Sequence, residues 1–293
     1  MDPKATRSTS ATTETDVRVS AIVVVTQDAG SASLDLCLRS VLSDPWVDEL
    51  ILVDAGADAQ IGSTMRALKA DRRDVMLMRV PAAIGVAEAR NRAVIHARGR
   101  WLLFVQPNVA LQRGAVARMV AAGRSAASPW IVGGRVLDAK GRERLDARGP
   151  LPTLGSSFAA AVGLRRKTPA PGALPTLVAA VGGQMMMTPR ADFVGLGGFD
   201  DSELEPAEAF DLCRRAADAG GQIRFAPRAE GVEFSANSRA GAAAAGRAAR
   251  GLSRYLARAA RTPRERAAVA MFSPLMAALM VLRGIVEGLR RRR

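Results

Sequence analysis

The residues of this chain best suited to chemistry stand at the ends of apolar runs. The first run ends at Thr26-Gln27-Asp28, the second at Asp54-Ala55-Gly56 and the fourth at Gln106-Pro107-Asn108. Gly85 precedes a helical segment whose next turn carries Arg90-Asn91. This set suits a nucleotide. Asp54 can accept from a base or ribose, Arg90 can reach phosphate, and Gly85 lets backbone come close to a ligand. Each strand-end Asp or Asn is also an ordinary turn former, and that alternative stays open for any one of them. Further along, Glu205, Glu208 and Asp211 are spaced three apart, so all three can lie near one helical face. A carboxylate there could take a proton from an acceptor hydroxyl, or the three could be a solvated first turn complementing the helix dipole. No GxGxxG follows the first strand and no Walker-A pattern occurs, which argues against a dinucleotide oxidoreductase or an ATPase.

Positioning such residues requires strands that share an edge, and the apolar patterning supplies them. Val17–Thr26 is a β-branched run and reads as a buried strand. Ser33–Leu42 is helical, with Leu34, Leu38, Val41 and Leu42 on one face. Leu50–Val53, Val75–Val80 and Trp101–Val105 read as further strands. Helices around Met65 and Leu68 and over Gly85–Ala97 separate them. This alternation predicts a parallel, doubly wound sheet over residues 17–110, with ligands outside the strands' carboxyl ends. Beyond it, Trp130–Leu137 reads as a strand and Pro150–Pro175 as a long loop with little regular structure. Thr176–Thr188 is a strand-like run carrying Gly182-Gly183. Glu205–Ala219 is a helix, Gln222–Phe225 a short strand, and Ala240 onward helical.

Composition narrows the function classes. The 293 residues are 48% hydrophobic, enough to bury a core, and 4% aromatic, too few for a carbohydrate-binding module built on Trp and Tyr platforms. A single His96 excludes a histidine-rich metal site, and Cys37 and Cys213 alone form neither a disulfide framework nor a zinc site. Of the 42 basic residues only four are Lys, a bias that with the abundant Ala suggests a GC-rich bacterial genome. Of the formal charge of +14, residues 239–293 carry +11, so the basicity belongs to a C-terminal appendage. Arg247, Arg250, Arg254, Arg258 and Arg261 are spaced three or four apart and line one helical face that anionic lipid could attract. Ala267–Leu282 follows without a charge, interrupted by Ser273 and Pro274, and is short for a spanning helix. The appendage is therefore expected to lie in a membrane interface through Arg254, Arg258, Met271, Phe272, Leu275 and Arg290, Arg291, Arg292 and Arg293. Packing of Met271–Leu289 back on the domain is the alternative. No nucleic-acid motif or aromatic interleaving accompanies the charge, so nucleic acid is not an expected partner. Residues 1–16 read as a disordered leader without the apolar core of a signal peptide, which places the chain in the cytoplasm, peripheral on the inner face of a bacterial plasma membrane.

Eight stretches occur in the order of a known family: SAIVVVTQD, CLRSVLSD, ELILVDAGA, AAIGVAEARNRAV, GRWLLFVQPNVAL, IVGGRVLDAKG, GGQMMMTPRADFVGLGGFDD and EAFDLCRRAADAGGQIRFAP. On these the chain resembles the family 2 glycosyltransferases, in particular their bacterial rhamnosyltransferase-like branch. The resemblance implies an α/β, GT-A-like, doubly wound and mostly parallel sheet over residues 17–238, followed by a basic amphipathic helical extension over 239–293. It also implies a nucleotide-diphosphosugar donor, Mg²⁺ or Mn²⁺, and inverting transfer to a polysaccharide or glycolipid, that is, a glycan or lipid-linked acceptor. The departures fall on the chemistry. Where the family has Asp-x-Asp to hold the metal, this chain has Gln106-Pro107-Asn108, leaving Asn108 one neutral oxygen for a cation that favours carboxylates. Where the family base stands, the register gives Ala209. Ala55 and Ala57 replace polar residues after the second strand, Gln27 stands at the nucleotide-base position, and a late His has become Glu233-Phe234. Two readings follow. In one, transfer proceeds through an atypical site, with Glu208 or Asp211 as base and Thr26, Asp28, Asp54, Gly85, Arg90, Asn91, Gln106 and Asn108 holding the nucleotide. In the other, the chain is a catalytically inactive relative that binds nucleotide or a partner glycosyltransferase as a scaffold.

Overall fold

The β-branched runs are buried on both faces, and alternate residues feed two separate cores. On β1 (Val19–Thr26), Ala21, Val23 and Val25 face one side while Ile22 and Val24 face the other. A strand buried on both faces needs apolar residues at every position, which is why these runs do not alternate with polar residues. The computed structural model describes residues 19–144, 146–164, 170–202, 207–234 and 241–290, without the side chains of 241–244 and 286–290. The expected leader 1–16, Glu205, Arg291, Arg292, Arg293 and the side chain of Arg290 lie outside the described residues.

After β1 come α1 (Ser31–Leu42), β2 (Val47–Ala55), α2 (Ala59–Asp71), β3 (Val75–Arg79), α3 (Val86–His96) and β4 (Trp101–Val105). The strand order β3-β2-β1-β4 is parallel throughout, with Thr26 registered on Ala55 and Asp54 on Arg79. The second half comprises β5 (Val109–Leu111), α4 (Ala115–Arg124), β6 (Trp130–Asp138), β7 (Arg148–Gly149), α5 (Leu154–Ala161), β8 (Thr176–Leu177) and β9 (Ala180–Val181). It continues through β10 (Met185–Pro189), α6 (Arg190–Gly195), α7 (Ala207–Asp218) and β11 (Gln222–Glu233). The sheet extends as β4-β10-β6-β11-β5, with β10 antiparallel to both neighbours and β11 parallel to β6. β7 pairs with β9 in a separate small ribbon. Helices α1, α2 and α4 cover one face, and α3, α6 and α7 cover the other.

Three expectations need correction. The segment read as a loop contains α5, whose start is fixed by a reciprocal cap: Thr153 Oγ1 accepts from Ser156 N, and Ser156 Oγ accepts from Thr153 N. Its Leu154 and Phe158 pack against the C-terminal helices, an apolar demand that a loop reading misses. The strand ending at Phe225 continues to Glu233, through a register shift between Ala226 and Glu230 that absorbs Pro227. The run Thr176–Thr188 is three short strands, not one, because Gly182-Gly183 interrupts it before β10.

The appendage forms α8 (Gly241–Ala259) and α9 (Pro263–Arg290). Thr262 and Glu265 make a reciprocal cap at the start of α9, and Pro263 takes the first helical position, where it lacks only an N–H that no helix partner would use. The helix runs unbroken through Ser273 and Pro274. Pro263–Ile285 is long and apolar enough to cross a bilayer by length and composition. Tyr255, Leu256, Val269 and Met276 are nevertheless buried in a third core against Ala161 of α5 and Ala207 and Phe210 of α7. The opposite face of α9 leaves Met271, Phe272, Leu275, Leu282 and Ile285 exposed. The helix thus packs on the domain by one face and presents an apolar stripe on the other.

Candidate functional site

Parallel pairing brings the carboxyl ends of β1, β2 and β4 to one edge of the sheet. Antiparallel β10 adds its first residues to that edge, since Met185 registers on Val105 and Gln106 N donates to Gln184 O. β6 and β11 end there too, with Asp138 registered on Glu233 and Glu233 on Val109. Thr26, Asp28, Asp54, Gln106, Asn108, Gly182 and Gly183 therefore share one rim. Gly85 caps α3 facing it, and a Cβ on Gly85 would meet no atom within 4 Å, so the space before the helix is open.

Each rim residue has a defined local role. Asp54 is buried and its Oδ1 accepts from Gly56 N and Ala57 N at 3.2 and 3.0 Å, closing the turn into α2. Its Oδ2 pairs with the exposed Arg79 at 3.1 Å. Gly56 has φ +91, which an L side chain rarely adopts, and so completes that turn. Asp28 is exposed and pairs with Arg247 of α8 at 3.2 Å, a contact between residues 219 positions apart. Gly182 sits so close to Asp146 O and the Gln184 side chain that a Cβ would collide with both. Gln184 is itself buried, and its Oε1 has no hydrogen-bond partner among the described residues.

Four expected site residues are placed otherwise than the sequence suggests. Arg90 is 2% exposed and is engaged within the protein beneath the rim. Its guanidinium pairs with Glu208 at 3.1 Å, donates to Gly183 O at 3.3 Å, and lies over the rings of Phe104 and Phe199. Glu208, fully buried in that pair, is held as a counter-ion and is not poised as a base. Asn91 bonds both ways to the Phe199 backbone, accepting at 2.9 Å and donating at 2.7 Å, so it fastens the loop before α7. Asp211 is 5% exposed and bridges Arg214 and Arg215, each at 2.7 Å; Arg215 in turn ties Leu196 O and Gly198 O. Apolar and small surroundings force these polar groups to satisfy one another, which exposed sequence letters cannot reveal.

Part of the basic stripe of α8 has partners within the domain. Arg258 pairs with Asp200 and donates to Ser202 Oγ, and Arg254 donates to Ser202 O at 2.8 Å. Together with Arg247 on Asp28, they tie α8 to the domain while their side chains stay partly exposed. The expected apolar membrane residues Met271, Phe272 and Leu275 remain exposed.

Sequence reasoning missed a charged group beside Asn108. Asn108 Nδ2 donates to Glu233 Oε1 at 3.2 Å, and Arg144 Nε pairs with Glu233 Oε2 at 2.9 Å while also contacting Asp146. Burial pushes the Glu233 carboxyl above the usual carboxylate range, with Arg144 pulling the other way. Asp138, at the end of β6, is held down to about 2 by the backbone N–H and guanidinium of Arg142. Only the unforeseen length of β11 brings Glu233 here. The Cys37 and Cys213 thiols are both pushed up to about 12 by burial, so neither is a nucleophile at neutral pH.

This donor set does not fit a divalent cation. Gln106 and Asn108 are neutral, the Glu233 carboxylate is engaged by Asn108 and Arg144, and among the described residues no three His, Cys, Asp or Glu converge.

A first test concerns Asp54. Asp54→Ala is expected to abolish nucleotide binding and, by leaving two turn N–H groups without their acceptor, to lower stability by about 1–3 kcal/mol. Asp54→Asn keeps an acceptor oxygen for the turn and is expected to melt near wild type. Calorimetric titration with UDP, GDP and dTDP, beside thermal melts, separates the two roles. If wild type binds and Asp54→Ala binds equally well, the nucleotide lies elsewhere.

No family model and no curated protein matches the chain. Solved structures do. GalNAc-T7 with UDP, GalNAc and Mn²⁺ aligns over 76% of this chain at TM-score 0.60 and 17% identity; the match spans 44% of that larger protein. The mannosyltransferase PcManGT from Pyrobaculum calidifontis, in complex with GDP-Man and Mn²⁺, aligns over 92% of this chain and 73% of its own, at TM-score 0.58 and 18% identity. S. aureus TarS 1–349 aligns over 91% and 71%, at TM-score 0.52 and 13% identity. Parallel half, antiparallel β10 and shared rim together give this chain the GT-A fold of the glycosyltransferases.

Proposed function

We propose that the chain is a glycosyltransferase-like protein that binds a nucleotide-diphosphosugar at the rim and works against the inner face of a bacterial plasma membrane. In this reading it belongs with the family 2 enzymes and their rhamnosyltransferase-like branch. It transfers the sugar with inversion to a polysaccharide or glycolipid through an atypical site. The observation that carries the reading is the rim itself, where Thr26, Asp28, Asp54, Gly85, Gln106 and Asn108 gather on the sheet edge at which open α/β sheets take their ligands. The nucleotide sugars and Mn²⁺ named with the similar structures support the ligand class, while the residues present here do not support the metal.

A second reading is favoured by a specific arrangement. Ala209 occupies the base position and is fully buried, so no group there can take a proton from an acceptor hydroxyl. The neighbouring Glu208 is locked on Arg90. A site of this kind can bind a nucleotide and still lack charge stabilisation in the transition state, which is the chemistry of an inactive relative that scaffolds a partner glycosyltransferase.

The test is titration of UDP, GDP and dTDP with Mn²⁺ and after its chelation, followed by an assay for sugar transfer. Nucleotide affinity is expected to change less than tenfold on chelation. A larger loss, above about 1.4 kcal/mol, would show that a metal site exists. Binding without turnover selects the scaffold reading, and no binding of any of the three nucleotides overturns both.

A further inference from the structure

A nucleoside diphosphate brings several negative charges, and among the described residues no cluster of carboxylates holds a divalent cation to meet them. A guanidinium is the remaining group that can face phosphate oxygens with both charge and paired N–H donors. The arginines beside the rim differ in what holds them. Arg90 is buried on Glu208. Arg144 is shared between Glu233 at 2.9 Å and Asp146 at 3.2 Å, two carboxylates for one guanidinium. Arg79 covers the buried Asp54, and its withdrawal would strand that carboxylate. Arg247 of α8 is held more loosely. It lies 3.2 Å from Asp28, and the two side chains are 49% and 53% exposed. Such a pair contributes little, and water takes over the Asp28 carboxylate when the guanidinium leaves.

The helix that carries Arg247 adds to its field. Residues 247–261 contain five arginines and no acid. Further along α8, Arg254 donates to Ser202 O and Arg258 pairs with Asp200, both in the segment before α7. Ala209, at the base position, lies on α7 beside Gly183. Positions 247 and 258 stand ~16 Å apart along a helix. Helix α8 therefore runs from the α7 side of the site to the end of β1, and it brings Arg247 to the edge where Thr26 and Asp28 stand. The partners are 219 positions apart, so the folded tail is what delivers this charge to the rim.

We infer that Arg247 is the diphosphate ligand of this chain: it leaves Asp28 for the phosphate oxygens when the nucleotide enters, and its guanidinium takes the place of the divalent cation that the rim does not accommodate. This rests on the reading of the rim as a nucleotide-diphosphosugar site and names the group that recognises the diphosphate within it.

The test is calorimetric titration of the full-length protein, in the presence of a chelator, with UDP, GDP and dTDP and with the matching nucleosides uridine, guanosine and thymidine. The ratio of diphosphate to nucleoside affinity isolates the phosphates. Wild type is expected to favour the diphosphate roughly ten- to hundredfold, the usual scale of a hydrogen bond to a charged group. Arg247→Met should lose most of this ratio, and Arg247→Lys should keep part of it as a point charge. Asp28→Asn breaks the same ion pair but frees the guanidinium, so it should raise the ratio, by up to about fivefold. Both positions are exposed, and all three variants are expected to melt near wild type. A pair that only anchors α8 predicts instead that Arg247→Met and Asp28→Asn lower the ratio alike. That result, a ratio untouched by Arg247→Met, or nucleotide binding that disappears on chelation overturns the assignment. The parent reading is judged separately. Wild type that binds diphosphate and nucleoside equally keeps the rim as a nucleoside site and removes Arg247, whereas wild type that binds none of the six removes the rim reading together with it.

Discussion

Arg90→Ala is expected to lower folding stability by about 3–5 kcal/mol, the usual result of stranding one partner of a buried ion pair. For a chain of this size that corresponds to a fall in melting temperature of roughly 10 °C. The physical reason is local. Arg90 and Glu208 are 2% and 0% exposed, and removal of the guanidinium leaves a carboxylate among Phe104, Phe199 and the small residues around Gly183. Arg90→Lys should recover little, because a compact ammonium cannot stack on two rings and reach both Glu208 and Gly183 O. The double variant Arg90→Met with Glu208→Leu should recover most of the loss, since no charge is then stranded. Glu208→Gln decides between roles. A counter-ion predicts that any loss of turnover accompanies a drop in melting temperature. If Glu208→Gln melts like wild type while sugar transfer falls a hundredfold or more, Glu208 is the general base and the buried-pair account is wrong.

Full-length protein is expected to sediment with anionic vesicles, and Met271→Glu with Leu275→Glu to lose that binding at least a hundredfold. Both side chains are exposed, at 66% and 50%, on the outer face of α9, so the change should not disturb the packing of Val269 and Met276 on the inner face. Each large apolar side chain fully buried on insertion contributes about 1.5–3 kcal/mol, and two exceed the 2.7 kcal/mol or so that a hundredfold represents. Salt should weaken the binding only modestly. Arg247, Arg254 and Arg258 contact Asp28, Ser202 and Asp200, which leaves fewer cations for lipid than the tail's charge suggests. Point changes are preferable to truncation before α8, because removal of the tail would uncover Ala161, Ala207 and Phe210. Sedimentation unaffected by the two glutamates, or full-length protein that stays in the supernatant at low salt, would exclude α9 as the membrane surface.

The sequence alone determined the parallel half of the sheet. Val17–Thr26, Leu50–Val53 and Trp101–Val105 are apolar runs of the kind a strand buried on both faces holds, and the helical periodicity between them favours right-handed crossovers. The shared rim followed from that topology, and so did the positions of Asp54, Gly85 and Asn108 on it. The absence of two carboxylates at 106 and 108 and of a base at 209 is a matter of residue type, which needs no coordinates. Tertiary structure decided what the remaining polar groups do. Arg90, Glu208, Asn91 and Asp211 look like ligands and bases in one dimension; burial makes each the partner of a group up to 118 positions away. Glu233 reached Asn108 because β11 carries on past its register shift, and Arg247, Arg254 and Arg258 of α8 found Asp28, Ser202 and Asp200 because the tail packs back on the domain. A pattern along the chain records which residues avoid water. The identity of the group that meets a charge once water is excluded depends on which distant segments pack beside it, and that information arises only when the chain is folded.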